Sequence, residues 1–271
     1  LYIDRSSEDY IGFFGVAYTA NITNLGLTNV NITGKQYIGT IAGYPYSATI
    51  TNCYSTGNVY YGDNSAGGLV GYVFLGEINN CYSSCEIEWT EITNGTGVGG
   101  FASSINYATV TNCYSLGDVF GDNTVGGFIG SNSSSTITNC YSAGNVSSYD
   151  TDYIGGLIGA NFGGTVNNSF WDTETSGQSS SAAGTGKTTA EMQDYTTFSD
   201  AGWDFEVETE NGTDDIWDID QSGTLNDGYP FLAWENGEET ALLVMLASFE
   251  AVIKNNDVML RWSTSCEMGL A

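Results

Sequence analysis

The stretches Val125-Gly126-Gly127-Phe128-Ile129-Gly130 and Asn139-Cys140-Tyr141-Ser142 decide the fold of this 271-residue chain, because both recur along it. Further copies of the Gly-Gly block, some of them degenerate, begin at Ile11, Ile38, Ala66, Val98 and Ile154. Copies of the Asn-Cys-Tyr-Ser block begin at Asn52, Asn80 and Asn112, with degenerate copies at Asn24 and Asn168. Such internal repetition is typical of solenoids, propellers and other repeat arrays.

The two blocks keep one period. The Gly-Gly blocks follow one another after 27, 28, 32, 27 and 29 residues, and the asparagines after 28, 28, 32, 27 and 29 residues. Both share the long third interval, which indicates an insertion at residues 86–94. Six repeats therefore span roughly residues 10–178, with atypical first and last members of the kind that cap repeat arrays.

Each repeat is predicted to form one coil of a β-solenoid. The apolar runs have strand length and are separated by Gly and Asn turns, and no window has the 3.6-residue period of a helix. A propeller blade would need about 40 residues and four strands. We therefore expect an all-β fold, in which a right-handed β-solenoid of six 27–32-residue coils occupies residues 1–178. A small mixed acidic cap would follow at 179–240, and a β-hairpin at 241–271.

Stacked coils predict ladders of equivalent side chains. Neighbouring residues of a strand face opposite sides, so Cys and Tyr of the repeated block should lie on opposite sides of the wall. We expect inward aliphatic and aromatic ladders, namely Ile50, Ile78, Val110, Ile137 and Val166, and Leu69, Phe101, Phe128 and Leu157. The asparagines should lie at a corner with their amides hydrogen-bonded along the stack, the cysteines inside, and the tyrosines outside or at the coil edge. These residues are Asn52, Asn80, Asn112 and Asn139; Cys53, Cys81, Cys113 and Cys140; and Tyr54, Tyr82, Tyr114 and Tyr141.

The cysteines are expected to be free thiols. Stacking at about 4.8 Å brings neighbouring Cα atoms within disulfide range, but it aims the side chains parallel to each other. If one pair forms, the short spacing favours Cys81 with Cys85. The absence of Cys-x-x-Cys spacing and of histidine argues against zinc.

Charge and composition exclude several functions. The chain has 32 acidic and 5 basic residues, a net charge of −27, which argues against nucleic-acid binding. The acids serve solubility or capture cations at the surface. Without histidine, Ser–His–Asp and Cys–His catalysis is excluded. No apolar run has membrane-spanning length, so no membrane insertion is expected, and an export signal would lie upstream of Leu1 or have been removed.

Three further motifs bear on possible sites. Gly184-Thr185-Gly186-Lys187-Thr188 resembles the end of a P-loop, but Ser181 stands where the first glycine belongs, so we expect a connector and a short helix capped by Thr188 with Glu191. An incomplete calcium loop offers a weak Ca²⁺ site at Asp214, Asp215, Asp218 and Asp220, and no other cofactor is expected. N-glycosylation sequons begin at Asn21, Asn31, Asn94, Asn132, Asn145, Asn167 and Asn211.

The repeat resembles the GLUG motif, which occurs in large bacterial surface adhesins and in non-catalytic parts of secreted proteins. The Gly-Gly and Asn-Cys-Tyr-Ser blocks carry the resemblance over about 170 residues. The segment from Ser169 to Leu232 is similar to the region that ends such arrays. The resemblance implies surface display and adhesion or architecture, and it names no ligand.

The C-terminal segment resembles a different family. Strands are predicted at Leu242–Ile253 and Val258–Trp262, and their sequence is similar to the opening hairpin of an Ig-like domain found in surface proteins exported by the type IX route. Two explanations stay open. Either the chain is a piece of a longer protein, or the hairpin completes a neighbouring chain's sheet.

The sequence therefore predicts an extracellular, non-enzymatic structural or adhesion module of a bacterial surface protein, with surface glycans or other protein chains as partners. The alternative is a self-assembling filament subunit joined by coil stacking or strand addition. A carbohydrate-active enzyme is least favoured, because no coil places two carboxylates on one strand face beside an Arg or Lys.

Overall fold

The structure is a computed structural model that describes residues 1–63, 65–89, 97–149, 152–206, 208–220, 222–236, 246–254 and 257–264. It is an all-β solenoid of about six turns, as the repeat period predicts. The chain divides into two compact units, Leu1–Ala233 and Trp234–Ala271.

The solenoid strands follow the repeat. The first coils contain β1 (Tyr2–Ile11), β2 (Phe14–Tyr18), β3 (Asn21–Thr23), β4 (Gly26–Ile38), β5 (Ala42–Tyr46), β6 (Thr49–Thr51), β7 (Tyr54–Tyr61) and β8 (Ser65–Gly67). The middle coils contain β9 (Val70–Phe74), β10 (Glu77–Trp89), β11 (Gly97–Gly99), β12 (Ala102–Asn106), β13 (Thr109–Ser115), β14 (Val119–Gly121) and β15 (Thr124–Gly126). The last coils contain β16 (Ile129–Ser133), β17 (Thr136–Ser142), β18 (Val146–Ser148), β19 (Tyr153–Gly155), β20 (Ile158–Phe162), β21 (Thr165–Asn167), β22 (Phe170–Asp172) and β23 (Thr185–Lys187).

Two parallel sheets run along the stack. One has six strands, β2, β5, β9, β12, β16 and β20, and the other 17 strands of the solenoid form the second sheet within the described residues. The register joins equivalent residues of successive repeats. Ile78 pairs with Val110 and Val110 with Ile137, for example. The inward ladders expected from the sequence are buried, with only Val166 partly exposed at the last coil.

The interior has two apolar compartments with a narrow waist between them. One compartment holds the ladders of Ile50 and Leu69, and the other holds Val59, Ile87 and Val98. At the waist the serines of three Asn-Cys-Tyr-Ser blocks each donate a hydrogen bond to the carbonyl of the second glycine in a Gly-Gly block. The hydrogen bonds are Ser55 to Gly68 (3.0 Å), Ser115 to Gly127 (2.6 Å) and Ser142 to Gly156 (2.8 Å).

The waist explains both repeated blocks. A Cβ atom on Gly68 would lie 2.1 Å from Ser83 Oγ and 2.2 Å from the Gly100 carbonyl oxygen. No side chain fits at that distance, so the second glycine is required by close packing rather than by its backbone angles. The serine hydroxyl in turn supplies a hydrogen bond at a site that water does not reach.

The asparagine corner depends on backbone conformation. The six equivalent asparagines, Asn24, Asn52, Asn80, Asn112, Asn139 and Asn168, have φ between 45° and 54°. Asparagine enters this left-handed region more readily than most residues. The corner therefore needs Asn or Gly, and the sequence supplies Asn in every coil.

A small mixed cap follows the last coil in the first unit. It contains α1 (Thr189–Met192), α2 (Tyr195–Ser199), β24 (Trp217–Asp218), β25 (Phe231–Leu232) and a 3₁₀ turn at Asn226–Gly228. A second 3₁₀ turn, Ala233–Glu235, begins at the last residue of this unit. Thr188 caps α1 and Glu191 completes the capping box, which confirms that prediction. Parallel pairing also continues beyond residue 178, because β23 pairs with β22.

The second unit contains an antiparallel hairpin of β26 (Leu246–Lys254) and β27 (Asp257–Thr264). Ile253 pairs with Val258, as the predicted turn requires. Residues 242–245 of the predicted first strand lie outside the described residues.

Candidate binding face

The predicted asparagine ladder is hydrogen-bonded along the stack. Asn52 Nδ2 donates to Asn24 Oδ1 at 3.2 Å, and Asn112 Nδ2 donates to Asn80 Oδ1 at 3.3 Å. These bonds join pairs of coils and do not form one continuous chain, because the buried Oδ1 atoms of Asn52 and Asn139 accept no hydrogen bond. The ladder is thus a structural element of the corner.

The cysteine ladder is buried in the larger compartment. Cys53, Cys81, Cys85, Cys113 and Cys140 are free thiols. Cys81 and Cys85 do not approach each other, because they lie four residues apart on the extended strand β10, about 13 Å at the usual rise per residue. They also belong to different apolar compartments. The expectation that these two would be the favoured disulfide pair is therefore wrong.

The acidic residues proposed for Ca²⁺ serve the local loop. Among the described residues, no three His, Cys, Asp or Glu side chains are grouped so that they could hold a metal ion. The Asp220 carboxylate accepts hydrogen bonds from the backbone N–H groups of Ser222, Thr224 and Leu225. It also accepts hydrogen bonds from the hydroxyls of Ser222 and Thr224. These bonds hold the pKa of Asp220 well below its usual range, the Ser222 hydroxyl first among them.

The sequons differ in accessibility. Asn21, Asn145, Asn167 and Asn211 are exposed, Asn31 is half-buried, and Asn94 lies outside the described residues. Asn132 is fully buried and donates to Asn161 Oδ1 at 3.0 Å. Asn132 is thus not accessible to a glycosyltransferase in the folded solenoid, which corrects the sequence-based expectation for this residue.

The tyrosines of the Asn-Cys-Tyr-Ser blocks form one continuous column on the outside of the coil wall. Neighbouring rings of Tyr54, Tyr82, Tyr114 and Tyr141 stack at 4.8 to 5.0 Å with interplanar angles of 6° to 12°. Tyr114 and Tyr141 are nevertheless buried, because the cap covers them. The four tyrosines therefore lie on the outer side of the coil wall, as expected. Tyr114 and Tyr141 are not exposed to solvent there, which corrects the expectation for these two residues.

The cap attaches to this column through aromatic contacts and hydrogen bonds. Trp217 contacts both Tyr114 and Tyr141. Tyr141 Oη donates to the Pro230 carbonyl oxygen at 2.5 Å, and Tyr229 Oη donates to the buried Asp172 carboxylate at 2.7 Å. The last coils and the cap consequently form one hydrophobic core.

A different surface carries exposed aromatic residues, namely the outer side of the six-stranded sheet. None of its six strands contains an Asp, Glu, Lys or Arg, although the chain has a net charge of −27. We call this surface the aromatic face and include in it Tyr10 of β1, Tyr37 of β4 and Tyr107 in the turn after β12. Its side chains are Tyr10, Val16, Tyr18, Tyr37, Tyr44, Tyr46, Tyr72, Phe74, Ser104, Asn106, Tyr107, Ser131, Ser133 and Phe162.

The rings of the aromatic face form two rows. In the first row, Tyr18 and Tyr46 stack at 4.9 Å and Tyr46 and Phe74 at 5.4 Å, and Tyr107 meets Phe74 edge-on at 5.9 Å. In the second row the rings are tilted, with Tyr10 and Tyr44 at 5.7 Å and 39°, and Tyr44 and Tyr72 at 5.6 Å and 41°. Tilted rings do not cover each other's faces completely. The surface thus offers ring edges, part of the ring faces and phenolic hydroxyls.

The polar groups of the face are neutral. Burial raises the pKa of Tyr44 and the pKa of Tyr72 above the ordinary tyrosine value, and neighbouring tyrosines add to the effect. Asn106 Nδ2 donates to Tyr72 Oη at 2.6 Å, which fixes one phenol at the centre of the face. Neutral hydroxyls and amides bind other neutral polar groups by hydrogen bonding.

Sequence reasoning missed this surface. The sequence-based expectations named the tyrosines of the repeated Asn-Cys-Tyr-Ser block and not the aromatic residues that follow the Gly-Gly block. A signal was present, because Tyr18, Tyr46 and Phe74 follow each other at 28 residues and so do Tyr44 and Tyr72. This spacing equals the repeat period and therefore places the rings on one face.

Comparisons with known proteins agree with the repeat. The GLUG motif family matches residues 121–147. A protein of Evansella cellulosilytica described as a Gly-rich membrane protein is 45% identical over 62 residues, which cover 23% of this chain and 6% of that protein. The chain thus matches a small part of this relative. No solved structure matches the chain. Neither α1 nor α2, nor any other helix of the described residues, has the length and apolar character of a membrane span.

Proposed function

We propose that the chain is a non-catalytic module of a bacterial surface protein that presents the aromatic face to ligands outside the cell, and so serves adhesion. The observation that carries the proposal is the face itself. Six strands without a charged residue carry exposed and half-buried aromatic side chains on a molecule with a net charge of −27. Exposed patches of this kind mark interaction sites.

The likeness to the GLUG motif and to a Gly-rich membrane protein supports surface display. The solenoid is suited to this task because each coil hydrogen-bonds to the next, which keeps the face flat over about six coils, or roughly 29 Å at the usual strand spacing. A rigid face loses little conformational entropy when it binds.

A non-catalytic role is supported by the residue types present. The chain has no histidine. The aromatic face has no carboxylate that could act as an acid, base or nucleophile on a bound glycan. Assays for reducing ends and unsaturated products on polysaccharides test this part, and turnover abolished by one Asp substitution would contradict it.

The experiment that tests adhesion compares two double variants on protein-coated beads. The change Tyr18→Ser with Tyr107→Ser removes two rings of the face that are 67% and 61% exposed. The control, Tyr2→Ser with Tyr153→Ser, removes two rings outside the face that are 72% and 53% exposed. We expect beads with the wild-type chain or the control to attach to immobilised bacterial and host surface material, and beads with the face variant to lose attachment. Equal attachment by both variants would refute the proposal.

A filament subunit is the second candidate, and the hairpin of the second unit favours it. β26 and β27 are nine and eight residues long and pair with each other. An isolated hairpin is marginally stable in water, and a partner strand would stabilise it. Deletion of residues 241–271 tests this by light scattering. Strand exchange predicts assemblies that fall to monomers while the β-rich circular dichroism remains, whereas assemblies that survive the deletion would exclude it.

A further inference from the structure

We infer that the ligand of the aromatic face is a neutral, hydroxyl-rich polysaccharide that lies along the solenoid axis. This inference rests on the proposed function, and it adds the chemical class and the direction of the ligand. It follows from the charge of the face, its area, the state of its backbone and the arrangement of its hydroxyls.

Charge selects a neutral ligand. An anionic polymer would have to approach a molecule of net charge −27 and would find no cationic group in the six strands. A cationic polymer would bind the acidic surfaces elsewhere more strongly than a face without carboxylates. A neutral polymer meets no charge repulsion on the uncharged face and leaves no charge buried without a partner.

Area argues against a second copy of the chain or another globular protein. Six strands of five residues form a face of roughly 480 Å², at about 4.8 Å between strands and about 3.3 Å per residue. A stable interface needs about 800 Å² from each partner. A slender ligand, in contrast, can bury most of its own surface on such a face.

The backbone argues against an extended peptide. Peptides that bind sheets by strand addition use an open edge, where N–H and C=O groups lack partners. The aromatic face is the flat side of the sheet, and its inner strands β5, β9, β12 and β16 are paired on both edges. Only side chains are offered, so a peptide would lack the backbone ladder that gives strand-adding peptides their affinity.

The hydroxyls repeat along the axis at the spacing of the coils. The row of Tyr18 and Tyr46 continues in later coils with Phe74, Asn106 and Ser133. The row of Tyr44 and Tyr72 continues with Ser104 and Ser131, so each of the first five coils carries at least one hydroxyl. The tilted row of Tyr44 and Tyr72 leaves parts of ring faces for the C–H groups of a sugar, beside the phenol fixed by Asn106. A linear polymer of hydroxylated rings along the axis would meet phenols and ring faces in the first three coils, and serine hydroxyls with the Asn106 amide in the next two.

Affinity electrophoresis of the full chain tests the inference with polymers of defined charge. The gels contain dextran, laminarin or a galactomannan as neutral polymers, polygalacturonate as an anionic polymer, or chitosan as a cationic polymer. We expect retardation by at least one neutral polymer, unchanged by added salt because no ion pair forms. Oligosaccharides of the same polymer should bind more tightly as they lengthen until they span the six coils.

Variants give the decisive comparison. Tyr18→Ser with Tyr107→Ser should weaken the retardation at least tenfold, and Tyr18→Phe with Tyr107→Phe, which keeps the rings and cannot open the core, should weaken it several-fold. Tyr2→Ser with Tyr153→Ser should leave it unchanged. Circular dichroism and Tm check that each variant is folded.

Three results would overturn the inference, namely retardation by charged polymers only, retardation equal in all variants, and retardation by no polymer. If bead attachment still depended on Tyr18 and Tyr107 in these cases, the adhesion proposal would stand and only the ligand class would be wrong. If attachment did not depend on them, adhesion by this face would fail as well.

Discussion

At the scale of single residues, the missing side chain of the second glycine determines how closely the two walls of a coil approach. Gly68 leaves no room for a methyl group beside Ser83 and the next coil. Gly62 provides a contrast, since the nearest atom to a Cβ there would be 3.9 Å away. Two glycines in one repeat thus differ in what they tolerate.

We therefore predict that Gly68→Ala destabilises the solenoid by about 1–3 kcal/mol, the usual cost of overpacking a core. Gly62→Ala should change the free energy of unfolding by less than about 0.5 kcal/mol, as surface substitutions usually do. Guanidinium denaturation followed by tyrosine and tryptophan fluorescence measures both. Equal midpoints for the two variants would show that the waist is not tightly packed.

The interior thiols should be unreactive in the folded chain. Burial raises the pKa of Cys85 to about 11 and raises the pKa of Cys113 well above its ordinary value. Thiols react as thiolates, so Cys85 and Cys113 are in the wrong protonation state at pH 8. Burial acts in the same direction on Cys81, but hydrogen bonds with Cys113 and Cys53 outweigh it and lower the pKa of that thiol. What protects all five thiols is that they are buried. In a Cys266→Ser chain, we predict no reaction with a disulfide reagent until guanidinium is added, when the five free thiols react. Fast labelling of the native chain would mean that the ladder opens.

At the scale of the strand, each ladder position belongs to the coils on both sides. Ile137 is buried on β17 and pairs with Val110 and Val166. Its neighbour Thr136 is exposed on the same strand. One strand thus offers a buried and a solvent-facing position for the same substitution.

We predict that Ile137→Asp lowers stability by more than the ~2–5 kcal/mol of a buried Ile→Ala change, because a charge is buried without a partner as well. Unfolding should spread to neighbouring coils, since solenoid stability is a sum over adjacent repeats. Thr136→Asp is the control and should melt like the wild type. A thermal melt by circular dichroism reports both, and an unmoved Tm for Ile137→Asp would mean that the side chain does not point inward.

At the scale of the whole molecule, buried phenols link stability to pH. Burial raises the pKa of Tyr61, of Tyr229, of Tyr44 and of Tyr72, and in Tyr229 the hydrogen bond to Asp172 adds to it. An unfolded tyrosine titrates near pH 10. Above that pH the folded chain binds more protons than the unfolded chain, so stability decreases as pH rises.

Stability should therefore be unaffected by these groups below about pH 9 and fall progressively above about pH 10. Denaturant midpoints measured from neutral to alkaline pH test the prediction. The variants Tyr61→Phe and Tyr229→Phe should show a shallower alkaline decrease than the wild type. A decrease of the same slope in both variants would contradict the assignment to these phenols.

The sequence by itself determined the repeat, the all-β class, the inward ladders and the asparagine corner. These features depend on local pattern, since a period of 27 to 32 residues forces equivalent side chains into register once the coils stack. The capping box at Thr188 and Glu191 is local as well. The pairing of Ile253 with Val258 likewise agrees with the predicted strands, which end and begin at these residues.

Only the tertiary structure decided which outward residues meet solvent. Tyr54 and Tyr141 occupy equivalent positions, yet Tyr141 is buried because residues from far along the chain, such as Trp217 and Pro230, fold back on it. The burial of the Asn132 sequon and the separation of Cys81 from Cys85 have local origins instead, because Asn132 is registered with the buried Ile105 and the two cysteines lie on one extended strand. The 28-residue spacing of the rings places them on one face, but the sequence does not show that this face is exposed. Exposure depends on what packs over a strand, and contacts between distant segments are not set by the period of the repeat.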